Sequence, residues 1–444
     1  MNRWIKFSLV AAAYLIWVIW LGSFWWLLGL LVIFDLYITK KVKWAFWKKN
    51  YEKGEKRNVW LDWLDAIIFA LVAATFVKSF FFEAYMIPTS SMENTLMTGD
   101  YLFVGKIKYG PKRPQNPLTV PLTHNVIFGK ESYSRLIERP YKRMAGFKKV
   151  SRDDMVVFNF PHGDTVLIHY PTDDYYTHVR LNGHKTTLDH YGPVKVRPVG
   201  KEDNYVKRCV AIAGDTLELR DGKVYVNGLP QPDFSGIRNT YTVITDGQPL
   251  NQRLLNKYRV SPVEAHFDNR IPGYASVPLN RALAEELQTL RNVVSVIQNV
   301  DVFPPDYPDS QLVLFPFVVS DDYPWTRDNY GPLWIPKAGT TVVLTPRNLP
   351  LFRRIITTYE GHTLEEVNGV YYIDGEETSE YTFAMDYYFM MGDNRHNSLD
   401  SRYWGFVPED RIVGNPLIVW FSIDKYKSLP SGIRWDRLLK VRFK

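Results

Sequence analysis

Two long apolar stretches within the first 82 residues constrain this chain most, because they require a bilayer as part of its solvent. Residues 7–21 and 24–38 form two almost wholly apolar runs separated by Gly22-Ser23. Each is short for a span, which needs about 20 residues. Together they exceed one helix, leaving a tight hairpin or one long tilted helix, and the Gly-Ser break favours the hairpin. No small-residue cleavage site follows, so a cleavable leader is a poor fit. A further apolar segment covers 59–82, with Asp62 and Asp65 near its start and Lys78 near its end, where they could reach headgroups. Between them, residues 40–58 hold eight basic and two acidic residues. The positive-inside rule then places this loop in the cytoplasm and everything after 82 outside.

Composition supports a folded protein at a membrane. Aromatic residues make up 15% of the 444, with 14 Trp, and apolar residues 46%, which excludes a disordered chain. The net charge of +7 reflects the basic loop, and with no zinc-finger spacing or P-loop the chain is not expected to bind nucleic acid. The single cysteine, Cys209, sits in an apolar run and reads as a core residue, so no intrachain disulfide or thiolate metal site can form. The nine His include no i, i+4 pair beside a Glu, which argues against a zinc protease. No metal or cofactor is expected.

From residue 83 the pattern changes to short β-type runs at 101–104, 155–158, 206–213, 216–219 and 223–226, with an Asn227-Gly228 hairpin signal after the last. Leucines at 279, 283, 287 and 290 predict a helix over 279–297, and a second helix is expected around 349–359. The segment from about 229 to 340, rich in Pro and Asn, looks like an inserted subdomain.

Three polar stretches stand out from this β background. They are Ile87-Pro-Thr-Ser-Ser-Met-Glu-Asn-Thr-Leu-Met-Thr-Gly-Asp100, Tyr205-Val-Lys-Arg-Cys-Val-Ala-Ile-Ala-Gly-Asp215 and Met391-Gly-Asp-Asn-Arg-His-Asn-Ser-Leu-Asp-Ser-Arg-Tyr-Trp-Gly405. A serine hydroxyl needs a base to become a nucleophile, and no motif places a His to serve. A lysine can serve if burial lowers its pKa from about 10.4. Lys207, in an otherwise apolar strand, is the candidate. Its alternative is an ordinary surface lysine, and only the coincidence of the three stretches weighs against that.

At these residues the chain resembles the bacterial type I signal peptidases, with their Ser-Met motif after the last span, Lys-Arg strand ending in Gly-Asp and late Gly-Asp-Asn-Arg…Asn-Ser-x-Asp-Ser-Arg motif. The resemblance covers roughly 1–110, 150–228 and 380–425. It implies a mainly β catalytic domain of antiparallel sheets with N-terminal transmembrane helices and an inserted α+β subdomain. The expected organisation is a membrane anchor (1–39), the basic loop (40–58), a transmembrane helix (59–82), a catalytic core in two parts (83–228 and 381–444) and the insertion (229–380). It further implies Ser91 as nucleophile and Lys207 as general base, with Ser398 orienting the amine and Asp400 and Arg402 holding the motif. The Ser91 N–H and the Thr89 hydroxyl would form the oxyanion hole; the family often has Ser at position 89. Ser90 is the neighbouring alternative nucleophile, but the attacking serine precedes Met92. Asp393, Asn394 and Arg395 read as scaffold, Asp100 and Asp215 as turn caps, and Glu93 as solvated.

The implied substrate is a signal-peptide-bearing preprotein, entering as a strand between 85–89 and 205–207, with Tyr85, Ile87, Val157 and Val206 lining small apolar pockets. The implied setting is the bacterial inner membrane with the catalytic domain on the periplasmic side; the lipid bilayer and the translocation machinery are the further expected partners. Three alternatives remain. A non-catalytic membrane-tethered export or assembly module would not need Ser91, Lys207, Ser398 and Asp400 together. A penicillin-binding enzyme would carry Lys three residues after its serine, where this chain has Asn94. A self-cleaving repressor would lack the anchor.

Overall fold

The computed structural model describes residues 2–22, 24–42, 59–170, 173–248, 250–260, 263–268, 270–302 and 312–441. Most of the basic loop, 43–58, lies outside them. The chain divides into two compact units, Met1–Phe82 with Lys106–Lys148, and Glu83–Gly105 with Lys149–Lys444.

In the first unit, helix α1 (Arg3–Leu21) is capped by the Asn2 side chain, which accepts from the Trp4 N–H. It stops at Gly22, whose φ of 60° places the residue in the left-handed region and turns its N–H back to the Val18 and Ile19 carbonyls. A 3-10 turn at Phe24–Leu28 and a helical piece at Gly29–Phe34 follow. Phe7 packs edge-on against Phe34 at 5.5 Å, and the Tyr14 hydroxyl donates to the Trp26 carbonyl at 2.6 Å. The second apolar run therefore doubles back along α1 as a hairpin. Helix α2 (Val59–Phe80) lays Phe76 and Phe80 against Trp17. Trp60, Phe69 and Val72 nevertheless remain mostly exposed. Both α1 and α2 are long and apolar enough to cross a membrane. Segment 106–148 is tied to the helix ends: Lys78 Nζ donates to the Thr123 carbonyl, Lys142 Nζ to Gly22 and Trp20 Nε1 to Ala145, each at 2.8 Å.

The second unit is built on a seven-stranded, mainly antiparallel sheet. Its strands are β1 (Phe82–Met86), β2 (Asp100–Gly105), β3 (Met155–Asn159), β4 (Asn204–Ala211), β5 (Tyr387–Met391), β6 (Val407–Pro408) and β7 (Ile412–Ser422). Their spatial order is β1-β2-β7-β3-β4-β5-β6, so the late strands intercalate among the early ones. Thr216–Arg220 and Lys223–Val226 form a hairpin that turns at Asp221-Gly222; the expected turn at Asn227-Gly228 folds Leu229–Pro230 back on Lys223–Val226, and Tyr330–Trp334 joins on the other side. Here Leu217, Leu219, Tyr330, Phe352, Phe383 and Phe389 share one buried core.

Residues 239–298 build a smaller four-stranded sheet with a core of their own, including Val243, Val277 and Leu287. The helix expected over 279–297 is shorter: Arg281–Gln288 is helical, capped by Asn280 Oδ1 on the Leu283 N–H, and Val293–Gln298 is a strand. The leucine spacing describes only the first two turns, while the run Val293, Val294, Val296 and Ile297 is β-branched and pairs with Asn239–Thr245. The other expected helix is present, Leu349–Arg354 continuing into a wider turn at Ile355–Tyr359.

The loop from β1 to β2 is clasped at its base. The Ile87 N–H donates to the Asp100 carbonyl and the Gly99 N–H to the Ile87 carbonyl, each at 2.9 Å. The Asp100 carboxylate caps the Met97 N–H and takes the Nε–Nη2 edge of the fully buried Arg437, whose guanidinium also reaches the Thr95 carbonyl. Removing one member leaves a buried charge uncompensated, which costs about 3–5 kcal/mol. Thermal unfolding of Arg437→Met and Asp100→Asn should each show a clear drop in Tm, and the double variant less than their sum; full additivity would contradict the pairing.

Candidate active site

Ser91 occupies the turn after β1, in a loop fixed by the Asp100 clasp. Thr95 and Leu96 donate backwards to the Met92 carbonyl, and Glu93 to the Ser90 carbonyl, winding the loop tightly. Lys207 sits on β4, paired across to Val156 of β3. The structure brings the two together: Lys207 Nζ and Ser91 Oγ are in direct hydrogen-bond contact. The Thr89 hydroxyl lies 3.5 Å from Ser91 Oγ, and the Ser91 N–H has no partner among the described residues.

Lys207 is 2% exposed. Burial lowers its pKa to about 8, against the opposing pull of Asp400; Arg402 lowers it further. An amine in this site is therefore deprotonated far more readily than a surface lysine. Asp400 cannot simply rescue the charge, because it is already committed. Its carboxylate takes Arg402 through Nε at 2.9 Å and a terminal nitrogen at 2.8 Å, and the Gly392 N–H at 3.1 Å. Burial opposes the Asp400 charge, but Arg402 holds its pKa below the usual carboxylate range. Arg402 spends its remaining donors on the Arg327 and Arg395 carbonyls.

Ser398 departs from the expected arrangement. Its hydroxyl is buried and has no hydrogen-bond partner among the described residues, so it does not hold the Lys207 amine. The amine is turned to Ser91 instead, while Ser398 packs over Gly392. A Cβ at Gly392 would lie 2.1 Å from Ser398 Oγ and 2.6 Å from the Ser91 carbonyl, so only glycine lets the late motif approach the Ser91 backbone.

Tyr85, Ile87, Val157 and Val206 meet in one apolar cluster with Met92 and Leu102. β5 joins β4 only from Arg208 onward, whereas β3 pairs along Asn204–Arg208. On the β5 side, Tyr205–Lys207 therefore have no ladder partner among the described residues, leaving an edge where an extended chain can lie.

Several polar residues do more than their sequence reading assigned. Asp393 forms a buried pair with Arg208 at 2.7 Å and accepts from the Thr95 hydroxyl at 2.5 Å, tying β4, the late motif and the Ser91 loop together. Glu93 is buried rather than solvated and accepts from the Thr98 N–H. Asp215 caps Ile212 as expected and also pairs with Arg152. Asn397 and Glu264, which the sequence did not single out, both reach the Ser90 turn, directly and through Asn amides respectively. Its place within the late motif was the one available signal for Asn397; Glu264 had none. Cys209 is fully buried, and burial pushes its thiol pKa well up, as expected of a core residue.

Comparison with known proteins leads to the same site. The family model described as "Signal peptidase, peptidase S26" matches residues 60–278 and 357–421, a range that contains Ser91, Lys207 and the late motif. A signal peptidase I of Helicobacter pylori strain J99 is 38% identical over 392 residues, covering 85% of this chain and 90% of that protein. One from Buchnera aphidicola of Acyrthosiphon pisum is 25% identical over 396 residues, covering 88% of this chain and 85% of its own. One from Haemophilus influenzae is 24% identical over 377 residues, with 85% and 74% covered. With the matched range spanning α2, the serine loop, the lysine strand and the late motif, the chain belongs to the signal peptidase family, peptidase S26.

Proposed function

We propose that this chain is a membrane-bound endopeptidase that removes signal peptides from exported preproteins, with Ser91 as nucleophile and Lys207 as general base. The observation that carries the reading is the direct contact of Lys207 Nζ with Ser91 Oγ inside a site that depresses the amine pKa to about 8. The substrate lies extended along the open edge of Tyr205–Lys207, with small side chains in the cluster of Tyr85, Ile87, Val157 and Val206. Neutral Lys207 takes the Ser91 proton as Oγ attacks the scissile carbonyl. The Ser91 N–H and the Thr89 hydroxyl receive the developing oxyanion. The protonated amine then gives its proton to the leaving amine. The otherwise unpartnered Ser398 hydroxyl takes the amine as it leaves Ser91, which accounts for burying a hydroxyl at a cost of about 1–3 kcal/mol. Water then attacks the acyl-enzyme, with Lys207 again as base. Asp400 and Arg402 keep the late motif in register throughout. This chemistry needs no cofactor.

The anchoring part of the reading rests on α1, α2 and the eight basic residues of 40–58. With that loop cytoplasmic, the catalytic unit lies on the periplasmic side of the inner membrane, where preproteins leave the translocation machinery with their signal peptides still in lipid.

Three outcomes test this reading. With a synthetic signal-peptide junction, Ser91→Ala and Lys207→Ala should each lose at least about a thousandfold in kcat/KM, since the pair acts as a unit. Ser90→Ala should be far milder; the reverse pattern would move the nucleophile. The pH profile of kcat/KM should rise through a limb near 8, because only the neutral amine is a base. A limb near the imidazole value of about 6.5 would instead point to a His base. For topology, a Cys209→Ala background carrying Val302→Cys, at an exposed site, should label from outside, and one carrying Asn50→Cys should not. Labelling of only the second would reverse the orientation.

A further inference from the structure

Behind the Ser90–Ser91 turn lies a carboxylate that the proposed reaction leaves unused. Glu264 comes from the inserted region, and its side chain is 5% exposed. Its Oε1 accepts from the side-chain nitrogen of Asn394 at 2.9 Å and from that of Asn397 at 3.1 Å. The same two nitrogens grip Ser90: Asn394 donates to its carbonyl at 3.1 Å, and Asn397 to its hydroxyl at 2.9 Å. Each amide nitrogen carries two protons, one for the carboxylate and one for Ser90. The second oxygen of Glu264 lies 3.7 Å from the fully buried guanidinium of Arg238, which donates to the Tyr258 and Arg259 carbonyls.

A negative carboxylate at this point selects the orientation of both amides. A flipped Asn394 would set its oxygen against two acceptors, the carboxylate and the Ser90 carbonyl. The consequence reaches the reacting atoms through one rigid unit. The Ser90 carbonyl and the Ser91 N–H belong to the same planar trans peptide, so fixing one fixes the direction of the other. The Glu93 N–H holds the Ser90 oxygen from within the loop at 2.9 Å, and Asn394 holds it from the late motif.

We infer that Glu264 is a positioning residue for the oxyanion hole, holding Asn394 and Asn397 on Ser90 so that the shared peptide aims the Ser91 N–H at the scissile carbonyl. The inference rests on the reading of Ser91 as nucleophile. It gives the inserted region a part in the reaction: Glu264 acts on the transition state, where the oxyanion forms, and not on substrate affinity.

The test uses the full chain in detergent with a synthetic signal-peptide junction and, as a probe of the oxyanion hole, a peptide aldehyde of the same sequence. Removing an oxyanion donor costs about 10²–10³ in kcat, and misaiming one less, so Glu264→Ala should lower kcat about 10- to 100-fold. KM should stay within about twofold, and aldehyde affinity should fall with kcat, since both read transition-state contacts. Glu264→Gln should fall between wild type and Ala, because its one carbonyl oxygen can face the amides or Arg238 but not both. Glu285→Ala, at an exposed side chain on a helix of the same region, should keep full activity. A folded Glu264→Ala with unchanged kcat, or a loss confined to KM with normal aldehyde binding, overturns the inference. Should Glu264→Ala fail to fold, Asn397→Ala at its exposed position decides: a severalfold loss in kcat and aldehyde affinity supports the role, and no change overturns it. Ser91→Ala is run in parallel. Cleavage surviving there removes the nucleophile reading and this role with it, whereas its loss beside fully active Glu264 variants overturns this role alone.

Discussion

The proposed Ser91–Lys207 chemistry depends on keeping one amine out of water. Lys207 could be an ordinary charged side chain at an ordinary pKa, and it would then be useless as a base. Burial on β4 costs the charged form its hydration and brings the pKa down to about 8. That same burial would be undone by a free carboxylate nearby. Asp400 is within electrostatic reach, yet Arg402 already occupies it on both oxygens. The Arg402 guanidinium thus neutralises Asp400 and itself lowers the Lys207 pKa.

The surrounding framework shows how such an amine is held at a serine. Three buried ion pairs, Asp100–Arg437, Asp393–Arg208 and Asp400–Arg402, each join or brace a motif that lies far from the others in the chain. Buried pairs are poor sources of net stability, because desolvation offsets most of their attraction. Their value here is geometric. Each has a bidentate guanidinium whose planar fork admits few alternative arrangements. The serine loop, the lysine strand and the late motif are thereby fixed against one another closely enough for Lys207 Nζ to meet Ser91 Oγ.

The inserted region belongs to this framework rather than beside it. Residues 239–298 have their own sheet and core, yet Arg238 and Glu264 reach the late motif, the Arg238 N–H donating to the Asp393 carbonyl at 2.8 Å. The Arg395 N–H returns to the Arg238 carbonyl at 2.9 Å. His396 adds another tie, accepting from the Thr240 N–H while its other nitrogen meets the buried Asp328. A segment that sequence pattern alone describes as extra is thus threaded through the scaffold that carries the serine.

Much of this was legible in the amino-acid order, and the division follows a physical rule. Apolar run length identified α1 and α2, because spanning a bilayer is a property of a contiguous segment. The β runs at 101–104, 155–158, 216–219 and 223–226 lie within observed strands, because alternation and turn residues act over a few positions. Cys209 read correctly as core for the same reason. The helix over 279–297 was overextended because its leucine spacing stops where β-branched residues begin, and the strand there is decided by its neighbour Asn239–Thr245. The chemistry-bearing stretches could be found in the sequence because motifs are local. Their meeting could not be derived from it, since Ser91 and Lys207 are brought together by a sheet that interleaves early and late strands. What only the tertiary structure decided is therefore pairwise and long-range: that Lys207 faces Ser91 and not Ser398, that Glu93 is buried, and that Glu264 stands behind Ser90. Each is set by which surfaces pack together, and no local pattern of residues encodes that.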